Sequence, residues 1–317
     1  MSRSTSLAAL AIAAASCASL VSDDPIKLSL ATATPGGGFP VFGDAFAASL
    51  KEADPTLTLE PRNTRGSAEN IPLLNDSKVD LALVAGEPAY EALSGKAGAP
   101  AKMKAVVAMY PTAGMFVVRG DSPYRTIHDL KGKPVAWGAK GSGFVNQAGY
   151  VLDALGRDRD RDFQAIYLER AGDGPAMLAE GKVAALWGGG LGFPMFIEAA
   201  KAPEGARFIA PGDSEVKLIL LKHPFLKAVR LPAGSYQGQA EAIESVGSWS
   251  FVYARADLPD DAAYRVTRAL HHAEAKLAAR LPQARETTAA NTYKAVADPS
   301  LLHPGTLRYL RETGLAK

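Results

Sequence analysis

From Ile26 onward short apolar runs alternate with stretches whose apolar residues recur at helical spacing, and glycines sit at the joints. Ile26 to Ala31 reads as a strand, Pro35-Gly36-Gly37-Gly38 as a turn, and Val41, Phe42, Ala45, Phe46 and Leu50 as one helix face. Leu57 to Leu59 and Val79 to Val84 are predicted strands flanking a helix that Ser67 would cap. A second series follows at Met115 to Val118, Pro134 to Trp137, Ala165 to Leu168, Val183 to Trp187 and Arg207 to Ile209. Thr126 to Gly132 has a Thr start and a Gly stop, Gly141-Ser142-Gly143 opens a longer helix, and Asp158 to Asp162 reads as a charged loop. The last third adds a strand at Ser250 to Tyr253 and a strong helix after Pro259, while His303-Pro304-Gly305 reads as a further helix start. Repetition of strand, turn and helix specifies an α/β protein with mostly parallel sheets.

At 317 residues two domains are expected, yet no low-complexity linker separates the series. The expectation is two lobes joined by crossing strands near Tyr110 to Gly114 and Glu244 to Gly247. Lobe 1 then comprises residues 23–113 and 247–317, and lobe 2 residues 114–246.

Residues 1–22 have Arg3, an apolar run from Leu7 to Ala15 and small residues after it, the order of a cleavable secretory signal. Cys17, the sole cysteine, lies in Ala14-Ala15-Ser16-Cys17, which is similar to a lipoprotein cleavage box except for Ala14 at its first position. A periplasmic or extracytoplasmic location follows, either free or lipid-anchored through Cys17. Net charge is +2, from 35 Lys and Arg against 33 Asp and Glu, so no basic field exists to concentrate nucleic acid.

Enzyme motifs fail one by one. The Gly-Lys pairs at Gly95, Gly132 and Gly181 lack the following Ser or Thr of a P-loop, and no G-x-S-x-G or H-E-x-x-H occurs. Five scattered histidines and one leader cysteine assemble neither a zinc cluster nor a Cys-His nucleophile, so no catalysis, metal or cofactor is expected. What recurs instead is a glycine-rich turn between a strand and a helix: Thr34 to Phe39, Thr64 to Ser67 and Gly138 to Gly143. At such a turn unpaired backbone N–H groups and the helix dipole favour an anion, and missing Cβ atoms admit it. Ser67 and Ser142 are helix caps or ligand donors, and Arg65 and Lys140 are surface charges or carboxylate partners. Trp137, Trp187 and Phe193 are core residues or a cleft wall.

Gly36-Gly37-Gly38-Phe39, then Gly66-Ser67-Ala68-Glu69-Asn70 with Val79-Asp80-Leu81-Ala82, Asp129 to Lys133, and Gly141-Ser142-Gly143 stand in an order that resembles one family. Leu231 to Gln239, Arg255 to Pro259 and His303 to Tyr309 continue the match across the chain after its leader. That family is the TAXI solute receptors of tripartite ATP-independent periplasmic (TRAP) transporters. The resemblance implies a type II periplasmic-binding-protein fold that closes on a small organic acid and delivers it to ion-gradient-driven membrane permease subunits. Taken with the glycine-rich turns and the aromatic strand ends, the expected ligand-binding residues are Thr34, Gly37, Gly38, Phe39, Arg65, Ser67, Asn70, Lys140, Ser142, Gly143, Phe144, Trp187 and Phe193.

The chain departs from the family at Phe39-Pro40, where two aromatic residues are common, at Arg65 in place of Gly, and at Phe144 in place of Thr. Hydroxyls are lost while a cation and apolar surface are gained, so the expected ligand is a carboxylate with an apolar or aromatic portion rather than glutamate, within the broader class of a small anionic metabolite, organic acid or amino acid. A monomer is expected. The alternative is an exported receptor used as a sensor or adhesin.

Overall fold

The computed structural model describes residues 24–96 and 98–317, so the expected signal segment and Cys17 lie outside the described residues. Ten strands form one curled sheet: β1 (Ile26–Ala31), β2 (Leu57–Arg62), β3 (Leu81–Val84), β4 (Met103–Arg119), β5 (Pro134–Ala139), β6 (Gln164–Leu168), β7 (Ala185–Gly189), β8 (Ala206–Ile209), β9 (Lys227–Leu231) and β10 (Ile243–Arg255). The strand order is β2-β1-β3-β10-β4-β7-β5-β6, with β8 beside β4 and β9 beside β10. Helices α1 (Gly38–Ala53), α2 (Ser67–Asn75) and α3 (Gly86–Leu93) follow the first three strands. The middle of the chain carries α4 (Gly143–Ala154), α5 (Arg159–Asp162), α6 (Gly174–Ala179), α7 (Pro194–Ala200) and α8 (Asp213–Lys222). Helices α9 (Asp260–Arg280), α10 (Ala289–Ala295) and α11 (Pro304–Glu312) return to the first lobe.

Pairings are parallel within β2-β1-β3 and within β7-β5-β6, as the repeated strand-helix pattern requires. The expectation of mostly parallel sheets fails at the centre. There β4 and β10 run antiparallel from Met103 opposite Arg255 to Ala113 opposite Gly247. Both strands are longer than the apolar runs that announced them, because each belongs to both lobes.

Alternation along the strands builds a core on each face. In β3, Leu81 and Leu83 pack with Phe42, Phe46 and Leu270 under α1 and α9, while Ala82 and Val84 pack with Tyr309 and Leu310 on the other side. In the second lobe Phe116, Trp137 and Trp187 share one face beneath α4, and Met115, Leu186 and Phe196 share the other. Edge-to-face packing joins Phe116 to Trp187 with centroids 4.7 Å apart.

Some local expectations change. Gly66, at φ 103°, caps α2, and Ser67 lies inside the helix. The charged stretch after Gly156 is a one-turn helix capped by Asp158, whose Arg159 donates to the Val145 carbonyl. Thr126 and Asp129 do form a capping box, and His303 caps α11 by accepting the Gly305 N–H.

Arg265 of α9 is 2% exposed and donates to the Asp54 carboxylate at 3.0 Å, to Thr56 Oγ1 and to the Asp24 carbonyl. Burial is the largest single influence on the Asp54 carboxyl and pulls it up, but the Thr56 hydroxyl and Arg265 together hold it below its usual range. Arg265→Met strands that carboxylate, with Arg268 at 3.5 Å as partial compensation. A loss of about 3 kcal/mol in denaturant unfolding is expected.

Candidate functional site

Four strand-to-helix junctions meet across the gap between the lobes. From the first lobe come β1 to α1, β2 to α2 and β3 to α3; from the second comes β5 to α4. Between them lies a cleft of about 820 Å³, mouth included.

The start of α1 shows why the junctions suit an anion. Gly37 caps the helix without a side chain, so the first-turn N–H groups of Gly38 and Phe39 have no intrahelical partner, and Pro40 has none to offer. Ser142 caps α4 by accepting the Phe144 N–H at 3.2 Å. Ser67 accepts the Ala85 N–H at 3.1 Å. Both hydroxyls spend an acceptor lone pair, which leaves the O–H of each to donate into the cleft. Among the described residues Arg65 is the one cationic side chain in the lining, and it is exposed.

The lobes touch along the mouth. Gly172 N–H donates to the Pro35 carbonyl at 3.3 Å, Ala171 N–H to Thr34 Oγ1 at 3.3 Å, and Ala68 N–H to the Gly141 carbonyl at 3.2 Å. A Cβ on Gly36 would overlap Gly172 Cα, and one on Gly143 would overlap Ala85 Cβ. These contacts need glycine for closeness, and Gly36 at φ 83° needs it for conformation as well.

The expected residues Thr34, Gly37, Gly38, Phe39, Arg65, Ser67, Ser142, Gly143, Phe144 and Phe193 all line this cleft. Three others do not. Asn70 is fully buried behind it, its amide donating to the Thr32 and Leu83 carbonyls at 2.8 and 2.7 Å, so it ties β1 to β3. Lys140 is exposed to solvent away from the lining. Trp187 packs in the core with Phe116, because strand alternation turns it away, and its indole N–H donates to the Phe144 carbonyl at 3.0 Å. Trp137 packs in that same core cluster.

The lining also contains residues that the motifs did not single out: Glu87, Tyr110, Thr112, Leu191, Met195, Gln147, Ser250 and Gln283. Two had a legible signal. Glu87 follows Gly86 at a fourth strand-glycine-helix junction, and Gln147 lies four residues after Gly143, on the same helix face. Thr112, Ser250 and Gln283 arrive from distant segments. With its amide turned to satisfy both ends, Gln283 donates to the Leu191 and Gly192 carbonyls at 2.7 and 3.2 Å, pinning the loop before Phe193.

Apolar side chains form one wall. Phe144 and Phe193 lie with centroids 5.0 Å apart, and Tyr236 accepts the Phe193 N–H at 2.9 Å. Opposite in character is Glu87, 2% exposed, which accepts from Gln147 Nε2 at 3.2 Å. Burial pushes its carboxyl up to about 7, outweighing hydrogen bonds from its own N–H, Ser248 and Gln147. No group of three or more metal-ligating side chains occurs among the described residues.

The sequence model of the NMT1-like family matches residues 30–314. Solved structures of similar fold include MatC from Rhodopseudomonas palustris with bound malate, at 13% identity, covering 92% of this chain and 100% of that one, with a TM-score of 0.59. A protein from Bordetella bronchiseptica RB50 is 16% identical over 91% of this chain and 98% of its own, with a TM-score of 0.57. A structure described as a periplasmic transporter is 13% identical, over 81% and 87% of the two chains, at a TM-score of 0.53. At these identities the likeness is one of fold.

Burial holds Glu87 protonated at pH values where the unfolded chain has lost the proton, so folded stability falls as pH rises from about 4.5 to about 7 and is then flat. Glu87→Gln removes that loss. The ligand-free variant is expected to exceed the parent by about 1–3 kcal/mol at pH 8 and to match it below pH 4.5, read from melts across pH.

Proposed function

The chain belongs to the NMT1-like family, and from that premise we propose that it is an extracytoplasmic solute receptor for a small organic carboxylate with an apolar or aromatic portion. The observation that carries this reading is a cleft walled by both lobes, lined by the Ser67 and Ser142 hydroxyls and the open start of α1 together with the apolar side chains of Phe39, Phe144 and Phe193. A carboxylate would accept from Ser67, Ser142 and the first turn of α1, with Arg65 at the mouth supplying the opposite charge. No covalent step is needed, and no base or nucleophile is assigned.

Binding is by hinge closure. Contacts from both lobes coexist only when the mouth is shut, so a ligand that bridges them shifts the equilibrium toward the closed form by its difference in affinity for the two states. The strands β4 and β10 are the paths by which the lobes can rotate. Delivery to a TRAP-type permease rests on the resemblance of the motif series to TAXI receptors. A neighbouring gene for a many-helix permease is its expected companion.

In a thermal-shift screen of ligand-free protein from Asp23 onward, one class of carboxylate is expected to raise the melting temperature with the logarithm of its concentration. Arg65→Ala and Ser142→Ala are each expected to weaken that ligand by roughly tenfold or more, since each removes a hydrogen bond to a charged group. No shift with any acid rejects the reading.

Gly36→Val places a side chain where Gly172 must come. The variant is expected to keep its circular dichroism but to lose the ligand-induced decrease in radius of gyration that scattering detects in the parent. Equal compaction in both would reject closure at this contact.

A further inference from the structure

A buried carboxyl group lies in a cleft otherwise suited to a carboxylate ligand. Glu87 is 2% exposed and accepts from Gln147 Nε2 at 3.2 Å and from the Ser248 hydroxyl. No Lys, Arg or His is among its described hydrogen-bond or ion-pair partners. The nearest charge on its own helix is Glu91, which makes matters worse. Around it, α4 presents Gln147 and Tyr150, whose hydroxyl donates to Glu91 at 2.8 Å. From β4 come Tyr110 and Thr112, and from β10 only the hydroxyls of Ser248 and Ser250. None of these supplies a positive charge.

Gln147 repeats the imbalance. Its Nε2 is spent on Glu87 and on the Thr112 carbonyl at 2.9 Å, while Oε1 is buried with no partner among the described residues. Such an orphan acceptor costs about 1–3 kcal/mol. This end of the cleft therefore has an uncompensated carboxyl and an unpaired carbonyl. Nearby, the hydroxyl of Ser67 is held by the Ala85 N–H, two residues before Glu87, so a donor for a carboxylate and an acceptor for a cation are neighbours. Two opposite charges that close together belong on one carbon of a ligand, not at the ends of a long one.

We propose that Glu87 and Gln147 form an ammonium-receiving end of the cleft, so that the ligand is a zwitterionic α-amino acid whose side chain is apolar or aromatic. This rests on the solute-receptor reading and narrows it. The carboxylate of the amino acid takes the Ser67 and Ser142 hydroxyls and the start of α1. Its ammonium donates to Glu87, and its side chain packs on Phe39, Phe144 and Phe193. A simple carboxylate would leave Glu87 either charged and unpaired or in need of a proton.

The test is calorimetric titration of refolded, ligand-free protein at pH 8 with L-leucine, L-methionine, L-phenylalanine, L-tyrosine and L-tryptophan, each beside the same acid lacking its amino group. At least one amino acid is expected to bind roughly 100-fold tighter than its deaminated partner, the scale of an uncompensated buried charge. Glu87→Gln is expected to erase that preference by weakening the amino acid while leaving the deaminated acid equal or tighter. A structural role for Glu87 alone would weaken both alike, which overturns the proposal. So do equal affinities for the two members of each pair, or binding of the deaminated acid with uptake of about one proton across buffers of different ionisation enthalpy. If no member of the panel binds while another carboxylate does, the zwitterion inference falls and the receptor reading stands. If nothing binds in either screen, both fall.

Discussion

The antiparallel pairing of β4 with β10 is the interaction on which both lobes hang. Each strand gives one half to each lobe, so the same ladder that closes the first sheet beyond β3 opens the second at β7. The crossing is crowded. A Cβ at Gly247 would overlap the Thr112 carbonyl, and one at Gly189 the Ala113 carbonyl, so the strands pass each other on bare backbone. Ser245 donates to the Gly114 carbonyl at 2.5 Å at the same level. A register shift between Trp249 and Phe251 lies a few residues from this point, and a second between Val252 and Tyr253 lies further into the first lobe.

Because the lobes meet at this ladder, their strand-to-helix junctions face one another across the cleft. Each junction has two tasks. It leaves first-turn N–H groups open toward the cleft, and it lets the opposite lobe come close. Glycine serves both, as at Gly66, where a Cβ would lie 3.2 Å from the Gly141 carbonyl while the N–H of Ala68 bonds to that same oxygen. A bulkier turn would keep the helix start but hold the mouth apart.

Charge is handled differently in the core and in the cleft. Asp54, buried between α1 and β2, is met by Arg265 with several charge-assisted hydrogen bonds. Glu87, buried more deeply still, is met only by neutral donors, and burial accordingly raises its proton affinity. The core pair stabilises a packed interface. The cleft group stores an unfavourable charge that neutralisation would relieve, and natural proteins tolerate such groups where they bind something.

The sequence by itself determined the α/β class, the positions of most elements and the glycine junctions, because these depend on local periodicity and on backbone conformations that few residues adopt. It also held signals that motif matching passed over: Gly86-Glu87 repeats the junction pattern, and Gln147 follows Gly143 by one helical turn. Only the tertiary structure decided which side of a strand or junction faces the cleft. Trp187 and Asn70 sit beside cleft residues in the chain yet point into the core, since a one-residue step along a strand reverses direction and a buried amide is drawn to free carbonyls. The same holds for Thr112, Ser250 and Gln283, which reach the cleft through strand crossing and the returning C-terminal segment. Contacts between residues more than a hundred positions apart leave no local pattern, so no reading of neighbours along the chain could place them.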